Sequence, residues 1–397
     1  MSPLQPVELA QRVQELPPYV FGRLNAIKNA RRRAGEDVID LGMGNPTDPT
    51  PQPIIDKLCE AVRDPSTHRY SVEADGLTNL KKEIGAFYQR EYDVQLDADE
   101  EIVCTIGSKE GLSHTLLALM NPGDVAVVPT PAFPVHIHGV RLAGGSVLSV
   151  PLGTGEEFYE HLQNVVDNFR PKPKVIIVNF PHNPSTATVD LEFFERLVDF
   201  CREREIFIIH DFAYNMITFD DYRAPSLLEA DGAKEVGVEF SSMSKSFNMA
   251  GWRVGFCVGH PKVVQGLAGI KGYFDYGLFM PVQIASIIAL RHCREDSRKQ
   301  AAIYETRRDA LCDGLERIGW PVTRPKGTMF VWARIPEQYD HMSSLDFSLL
   351  LLEEANVAAA PGEAFGSGGE RYLRLALVEN EQRLKQAVRQ MGRALDL

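Results

Sequence analysis

Between about residue 100 and residue 260, short and almost wholly apolar runs alternate with amphipathic stretches, and this alternation allows few folds. The apolar runs are EIVCTIGS, DVAVVPTPAF, GSVLSVPL, KVIIVNFPHNP, IFIIHDFAY, VGVEFSSMSK and WRVGFCVG. Helical patterns such as KEGLSHTLLALMN and VDLEFFERLVDFCRERE separate several of them. A strand reads as a continuous apolar run when both faces of its sheet are covered. The pattern therefore predicts an α/β fold in which a mostly parallel sheet lies between helices.

The chain of 397 residues exceeds the usual size of one hydrophobic core, so we expect more than one domain. A long helical region from about Pro281 to Ile318 precedes three further strand-like runs, TMFVWARI, NVAAAPG and RYLRLALV. These runs predict a second, smaller α+β domain. We expect residues 1–50 to join this small domain, residues 51–290 to form the large domain, and residues 291–397 to form the small one.

Composition and charge exclude several classes of protein. The net charge is -12, and the densest basic run, 31–33, is followed at once by Glu36 and Asp37, so nucleic-acid binding is not expected. The six cysteines include no C-x-x-C pair, which indicates reduced, buried thiols. The histidines show no ligand spacing, so no metal is predicted. Because the chain also lacks a signal pattern and a bilayer-spanning apolar run, we expect a soluble, cytoplasmic protein.

Polar residues follow the carboxyl ends of several predicted strands, and this is where open α/β sheets bind ligands. Each has an ordinary explanation when taken singly, such as a turn or a helix cap. Caps do not explain the residues as a set. In chain order the set is Gly107, Ser108, Lys109, Asn183, Asp211, Tyr214, Ser242 and Lys245.

One part of this set predicts a phosphate site. Gly107 and Ser108 at the start of a helix supply backbone N–H groups, a hydroxyl and the positive end of the helix dipole. Ser242 and Arg253 add a second hydroxyl and a planar guanidinium.

The remaining residues predict that the phosphate belongs to pyridoxal 5'-phosphate. Lys245 supplies a primary amine that forms an imine with the cofactor aldehyde. Asp211 pairs with the protonated ring nitrogen and keeps the ring an electron sink. Asn183 and Tyr214 hydrogen-bond the ring hydroxyl.

The motif around Lys245, SMSKSFNMAGWRVG, resembles the lysine motif of the class I/II aminotransferases, which are fold-type I enzymes dependent on pyridoxal phosphate. The resemblance extends over essentially the whole chain, from DLGMGNPTDPTP through GSKEG, NFPHNPS and HDFAY to PGEAFG and RYLRLAL. The stretches GMGNPT, IGSKEG, NMAGWR, DYGLFMP and WARIPEQY are most similar to the glutamate–pyruvate (alanine) branch. The LL-diaminopimelate aminotransferases share several of them.

The resemblance implies further roles for single residues. Arg374 matches the arginine that binds the substrate α-carboxylate, and Gly44 lies where the N-terminal segment passes over the substrate. Phe133 takes the place of the aromatic residue that stacks on the ring, where many members have Trp or Tyr. Tyr70 matches a tyrosine that reaches the phosphate of the neighbouring subunit, which implies a homodimer with shared active sites. Whether Tyr276 also crosses to the partner stays open.

These roles imply amino transfer between an amino acid and a 2-oxo acid, most closely alanine and pyruvate with glutamate and 2-oxoglutarate. Lys245 must be neutral to move a proton, so we expect its pKa to lie well below about 10.4. LL-diaminopimelate, aspartate, methionine or aromatic aminotransferase activity stays open. So do another reaction of this fold, such as a β-lyase or a decarboxylase, and a regulatory module that only binds the cofactor.

Some polar residues have no assigned place in the site. Arg23, Lys109 and Lys271 are candidates for binding a distal substrate carboxylate, and Lys109 is also a candidate cation near the phosphate. His210 precedes Asp211, and either orients that carboxylate or is a buried structural histidine.

Overall fold

The strands agree with the apolar runs of the sequence. The structure is a computed structural model that describes residues 7–17, 20–71 and 73–396. Its strands are β1 (Ile39–Leu41), β2 (Ile102–Thr105), β3 (Val125–Thr130), β4 (Ser146–Pro151), β5 (Val175–Asn179), β6 (Phe207–Asp211), β7 (Gly237–Ser242), β8 (Gly255–Gly259), β9 (Phe330–Arg334), β10 (Val357–Pro361) and β11 (Tyr372–Ala376).

The larger of the two sheets in the described part of the chain has seven strands in the order β2-β8-β7-β6-β5-β3-β4. Strand β8 runs antiparallel to its neighbours β2 and β7, and the other neighbours pair in parallel. Each of the seven apolar runs contributes one strand. The prediction of an α/β fold with a mostly parallel sheet is confirmed.

Helices cover both faces of this sheet. The helices are α1 (Gln11–Gln14), α2 (Val20–Arg33), α3 (Gln52–Ala61), α4 (Thr78–Tyr92), α5 (Ser108–Leu119), α6 (Pro134–Leu142), α7 (Glu156–Asn168), α8 (Leu191–Glu203), α9 (Ala233–Val236), α10 (Met243–Ser246), α11 (Pro261–Phe274), α12 (Met280–His292), α13 (Arg294–Arg317), α14 (Ser344–Glu354) and α15 (Glu381–Ala394).

Successive side chains of a strand alternate between the two faces of the sheet, and this explains why the strand-forming runs of the sequence are apolar at every position. Ile208 of β6 packs in a core with residues of α4, α7, α8 and α12, whereas the next residue, Ile209, packs in a core with residues of α5, α6 and α11. Successive side chains of a strand point to opposite faces, so a covered sheet needs apolar residues at both. Polar groups are then restricted mainly to the strand ends.

Some of the helices begin at a residue whose side chain caps them. The Asp190 carboxylate accepts a hydrogen bond from the Phe193 N–H at the start of α8, and the Asn380 amide oxygen accepts one from the Arg383 N–H at the start of α15. These contacts satisfy N–H groups that have no partner within a helix. Helix α8 then buries Phe194, among other apolar residues, against the sheet.

The helical region predicted from Pro281 to Ile318 is divided in two. Helix α12 ends at His292, and α13 begins at Arg294. Cys293 between them has ψ 24°, which is far from the helical value, so the helix axis is interrupted there.

The smaller sheet joins both ends of the chain, in the order β1-β10-β11-β9. The short β1 pairs in parallel with β10, and the remaining pairs are antiparallel. The N-terminal segment thus supplies a strand next to the C-terminal ones, which supports grouping 1–50 with 291–397. The exact domain boundaries stay a prediction, and residues 1–6, 18–19, 72 and 397 lie outside the described part of the chain.

Two predictions from composition can be compared with the structure. Cys59 is exposed, whereas the other five cysteines are buried, and none of the six forms a disulfide in the described chain. No helix formed by the described residues is both long enough and apolar enough to cross a membrane.

Substitution of two neighbouring leucines of α5 tests which side of this helix packs against the large sheet. Leu116 is fully buried against the large sheet, whereas Leu117 is 40% exposed. We expect Leu116→Ala to lower the free energy of unfolding by about 2–5 kcal/mol, because it leaves a cavity in the core. Leu117→Ala should change it by no more than about 0.5 kcal/mol. Urea unfolding of both variants measures the difference, and equal losses would contradict the packing described.

Candidate active site

The carboxyl ends of the parallel strands open into one cavity of about 800 Å³. Most of the residues predicted for the site line it, although they come from distant parts of the chain. These residues are Gly44, Ser108, Lys109, Phe133, Asn183, Asp211, Tyr214, Ser242, Lys245, Arg253 and Arg374. Gly107 lies next to the cavity, and Tyr70 lies outside it.

One end of the cavity has the properties of an anion site. Helix α5 begins at Ser108, and Gly107 before it has φ 74°, in the left-handed region that favours glycine. A Cβ at Gly107 would lie 2.2 Å from Arg253 Nη2, so a side chain there would displace the guanidinium. The Arg253 guanidinium donates to the carbonyl oxygens of Ala250 and Ile106, at 3.0 Å and 3.4 Å. The guanidinium and the helix N-terminus therefore converge on the same region.

Ser242 completes this end of the cavity. It caps α10, because its hydroxyl oxygen accepts a hydrogen bond from the Ser244 N–H at 3.2 Å. Its hydroxyl also lies 2.9 Å from the Ser244 hydroxyl. Two hydroxyls thus lie on the same short helix as Lys245.

Asp211 ends β6 with one carboxylate oxygen paired and one unpaired. Its Oδ2 lies 3.0 Å from His136 Nε2. Its Oδ1 is buried without a hydrogen-bond donor among the described residues. A buried carboxylate oxygen without a donor is costly, so the site has an acceptor available for a ligand donor.

Arg374 and Asn183 form the wall opposite the anion site. Arg374 Nη1 donates to Asn183 Oδ1 at 2.8 Å, and Arg374 Nη2 donates to the Gly42 carbonyl oxygen at 3.2 Å. The guanidinium also lies over the rings of Phe330 and Phe365, at 4.1 Å and 4.6 Å from their centroids. These contacts fix the plane of the guanidinium, as bidentate carboxylate binding requires.

The Lys245 amine lies between these two ends. Its Nζ donates to the Gly44 carbonyl oxygen at 2.7 Å. Burial, and then the positive charges of Arg374 and Arg253, lower the pKa of Lys245 to about 8. This agrees with the pKa expected of a lysine that must lose its proton to act as a base.

Tyr214 keeps its hydroxyl proton in the cavity. Burial raises the pKa of its phenol, although the nearby Arg374 opposes the shift. The phenol can therefore donate a hydrogen bond at any ordinary pH.

His136 is a functional candidate that the sequence analysis did not include. It follows Phe133 by three residues in the first turn of α6, and this turn brings its imidazole to Asp211. In the sequence, the position of His136 three residues after Phe133 was the signal that could have suggested this role. His210 does not orient Asp211, because alternation along β6 places its side chain against the fully buried Glu239, at 2.8 Å. Of the two roles considered for His210, the structure therefore favours that of a buried structural histidine.

The candidates for a distal carboxylate differ in their positions. Lys109 lines the cavity, and its Nζ lies 5.8 Å from the centre of the Phe133 ring. Lys271 is fully buried, pairs with Glu110 and Asp275, and does not line the cavity, so it is no longer a candidate. The side chain of Arg23 lies outside the described residues.

The same ion pairs bear on metal binding. Glu110, His114 and Asp275 lie close enough together to share a cation. The ammonium of Lys271 already contacts both carboxylates, so we assign no metal to them.

Tyr70 and Tyr276 lie together on the surface. Tyr70 is 84% exposed, and the two rings meet edge to face at 5.5 Å. Neither tyrosine lines the cavity of its own chain.

Comparison with known proteins assigns the chain to a family. Residues 36–391 match the family model of class I and II aminotransferases, and the chain belongs to this family. It is 46% identical to the glutamate-pyruvate aminotransferase AlaC of Escherichia coli (strain K12), with 98% of this chain and 94% of that protein covered. It is 41% identical to the LL-diaminopimelate aminotransferase of Moorella thermoacetica, with 97% and 98% covered.

Solved structures show the same fold. The substrate-bound structure of BacF from Bacillus subtilis superposes with a TM-score of 0.90 at 36% identity, with 98% of each chain covered. The aspartate aminotransferase of Thermotoga maritima also gives a TM-score of 0.90, at 27% identity, with 98% of this chain and 100% of that chain covered. The fold is that of the fold-type I aminotransferases, and the protein is an aminotransferase.

The low pKa of Lys245 leads to a test in the cofactor-free protein. Removing the positive charge of Arg374 favours the protonated amine, so Arg374→Met should raise the pKa of Lys245 above about 8. Competitive labelling with a small acylating reagent over a pH series, analysed by mass spectrometry, measures this pKa. Arg371→Met removes a nearby surface arginine as a control and should leave it unchanged. An unchanged pKa in Arg374→Met would contradict the electrostatic account.

Proposed function

We propose that this aminotransferase is a cytoplasmic homodimer that uses pyridoxal 5'-phosphate. We further propose that its substrates are alanine and pyruvate with glutamate and 2-oxoglutarate. The observation that carries the cofactor assignment is the Lys245 amine, with a pKa of about 8, in one cavity with the unpartnered Asp211 Oδ1. The cofactor aldehyde would need the Lys245 amine to form an imine. Its protonated pyridine nitrogen would donate a hydrogen bond to Asp211 Oδ1.

The residues present fit the cofactor at each of its functional groups. Gly107, Ser108, Ser242 and Arg253 would hold the phosphate, with Lys109 as an added cation nearby. Asn183 and Tyr214 would hydrogen-bond the ring hydroxyl, and Phe133 would stack on the ring. The phosphate end and the Asp211 end lie in the same cavity, so one ligand can contact both.

When bound, the cofactor supplies an aldehyde for the amino group and an electron sink for the charge that develops at the α-carbon. Arg374 then binds the substrate α-carboxylate, and Gly44 lies over the substrate. The neutral Lys245 Nζ removes the proton from the substrate α-carbon and holds it for return. Asp211, itself positioned by His136, keeps the ring nitrogen protonated.

The substrate assignment is supported by the relative from Escherichia coli, which is a glutamate-pyruvate aminotransferase with 46% identity to this chain. The second candidate is LL-diaminopimelate, because relatives with that activity reach 43% identity over 96% of the chain.

A half-reaction screen separates these candidates. The purified protein with added pyridoxal 5'-phosphate receives one amino acid at a time, without any oxo acid, and the absorbance of the bound cofactor is followed. Conversion by alanine and glutamate, with little by LL-diaminopimelate, aspartate, methionine or phenylalanine, supports the proposal. Conversion by LL-diaminopimelate but not alanine would replace the proposed substrate. Absence of any cofactor band would refute the cofactor assignment.

Substitution of Lys245 tests its role as base. Lys245→Ala should lower turnover by roughly a hundred- to ten-thousandfold or more, because no other amine lies in its place. The fold should be retained, since the side chain projects into a cavity. Circular dichroism and steady-state rates measure the two effects. The matched control is Lys262→Ala, an exposed lysine of α11 that should have near wild-type activity. A fully active Lys245→Ala enzyme would end this assignment.

The homodimer is supported by a group of exposed aromatic residues at and near the end of α11. Its members are Tyr70, Tyr273, Phe274, Tyr276 and Phe279, each at least 46% exposed. Large exposed apolar patches of this kind mark interaction surfaces. A second copy of the chain would cover the cluster, and Tyr70 would then be placed to reach the partner's phosphate.

Mixing two inactive variants tests whether the dimer shares its sites. Tyr70→Ala and Lys245→Ala protomers are dissociated together and reassociated. If Tyr70 acts in the partner's site, each mixed dimer contains one wild-type site, and activity should rise above that of either variant alone. Lys245→Ala mixed with Asp211→Ala is the control. Both residues line the same chain's cavity, so each site of the mixed dimer lacks one of them and no wild-type site forms. Equal behaviour of the two mixtures would contradict a shared site.

A further inference from the structure

The segment from Gly42 to Gly44 contacts two of the cations that line the cavity, Lys245 and Arg374. The Gly42 carbonyl oxygen accepts a hydrogen bond from Arg374 Nη2 at 3.2 Å, and the Gly44 carbonyl oxygen accepts one from Lys245 Nζ at 2.7 Å. The segment follows β1 directly and belongs to neither of the elements that carry those side chains. Its position therefore affects the orientation of Arg374 and the surroundings of Lys245 together.

This segment, which we name the glycine strap (residues 42–44), has little room to adjust on one side. A Cβ at Gly44 would lie 2.6 Å from the Phe330 ring, so the strap passes close over that ring. The guanidinium of Arg374 lies over the same Phe330 ring, 4.1 Å from its centroid. Glycine, however, has the freest backbone of all residues, so such a segment stays ordered only if other contacts restrain it.

The restraint at the start of the strap is Asp40. Its Oδ1 accepts a hydrogen bond from the Gly42 N–H at 3.1 Å, and its Oδ2 accepts one from Lys28 Nζ. Lys28 belongs to α2 and is only 7% exposed. A buried ammonium that loses its carboxylate is strongly destabilised, so the pair holds α2 and the end of β1 together.

A continuous series of contacts thus leads from Lys28 to Arg374. It runs from the Lys28 ammonium to the Asp40 carboxylate, from there to the Gly42 peptide, and from its carbonyl to the guanidinium. We propose that Lys28 and Asp40 are positioning residues that hold the glycine strap and thereby set the orientation of Arg374 toward substrate carboxylates. This inference rests on the proposed role of Arg374.

The structure allows a competing role to be separated experimentally. Lys28, Asp40 and Arg32 also line the cavity, so they could instead contact a distal group of the substrate directly. Positioning of Arg374 affects every substrate, because every substrate has an α-carboxylate. Direct contact with a distal carboxylate affects glutamate and 2-oxoglutarate but leaves alanine and pyruvate unchanged.

The kinetic experiment compares two substitutions at Asp40. Asp40→Ala removes the acceptor of the Gly42 N–H and should raise KM for all four substrates by a similar factor, roughly three- to thirtyfold, with a smaller change in kcat. Asp40→Asn keeps an oxygen in place and should recover part of this loss. Asp37→Ala is the matched control, because Asp37 lies three residues earlier and pairs with Arg383 on the surface. It should leave KM unchanged.

A second measurement does not depend on turnover. Hydrogen exchange in the cofactor-free protein, followed by mass spectrometry, should become faster in peptides that contain the strap in Asp40→Ala. The increase should be smaller in Asp40→Asn and absent in Asp37→Ala. If no amino acid reacts in the half-reaction screen, this measurement still decides whether Asp40 restrains the strap.

The opposite outcomes are equally specific. A KM increase confined to glutamate and 2-oxoglutarate would overturn the proposal in favour of direct contact. A fall in kcat with unchanged KM would show that the pair does not act through Arg374. Unchanged exchange and unchanged KM in Asp40→Ala would show that the strap is held by other contacts.

Discussion

The site depends on one electrostatic arrangement, a primary amine held near two guanidinium groups. Burial of Lys245, and then the positive charges of Arg374 and Arg253, lower the pKa of its amine to about 8. The same two arginines are the groups best suited to bind a phosphate and a carboxylate. One arrangement is therefore suited both to binding anionic ligands and to releasing a proton from the amine.

This arrangement exists only where the two sheets meet. The larger sheet supplies Lys245 and Asp211 at its carboxyl edge, whereas the smaller sheet supplies Arg374 from β11 and the glycine strap after β1. Covered faces leave the strand ends as the main place for polar groups in the larger sheet. The smaller sheet then closes that edge and adds Arg374, the side chain proposed to bind the substrate carboxylate.

Sequence patterns predicted where the strands lie better than they predicted which strands pair with each other. Ten strands of the structure correspond to apolar runs, because each run is local and long enough to be recognised. The three-residue β1 was not predicted as a strand, since its pairing with β10 depends on residues more than three hundred positions away. The break at Cys293 was missed because no proline or glycine marks it.

The sequence by itself determined the chemistry of the cavity, because the strand ends and the residues that follow them are adjacent in the chain. It therefore allowed Lys245, Asp211 and the residues of the anion site to be predicted, and the structure places them around one cavity. Only the tertiary structure decided that His136 reaches Asp211 and that Asp40 restrains the glycine strap. It also showed that the buried Lys271 ammonium pairs with the Glu110 and Asp275 carboxylates. Contacts of this kind depend on the order of strands and the packing of helices, which no local pattern contains.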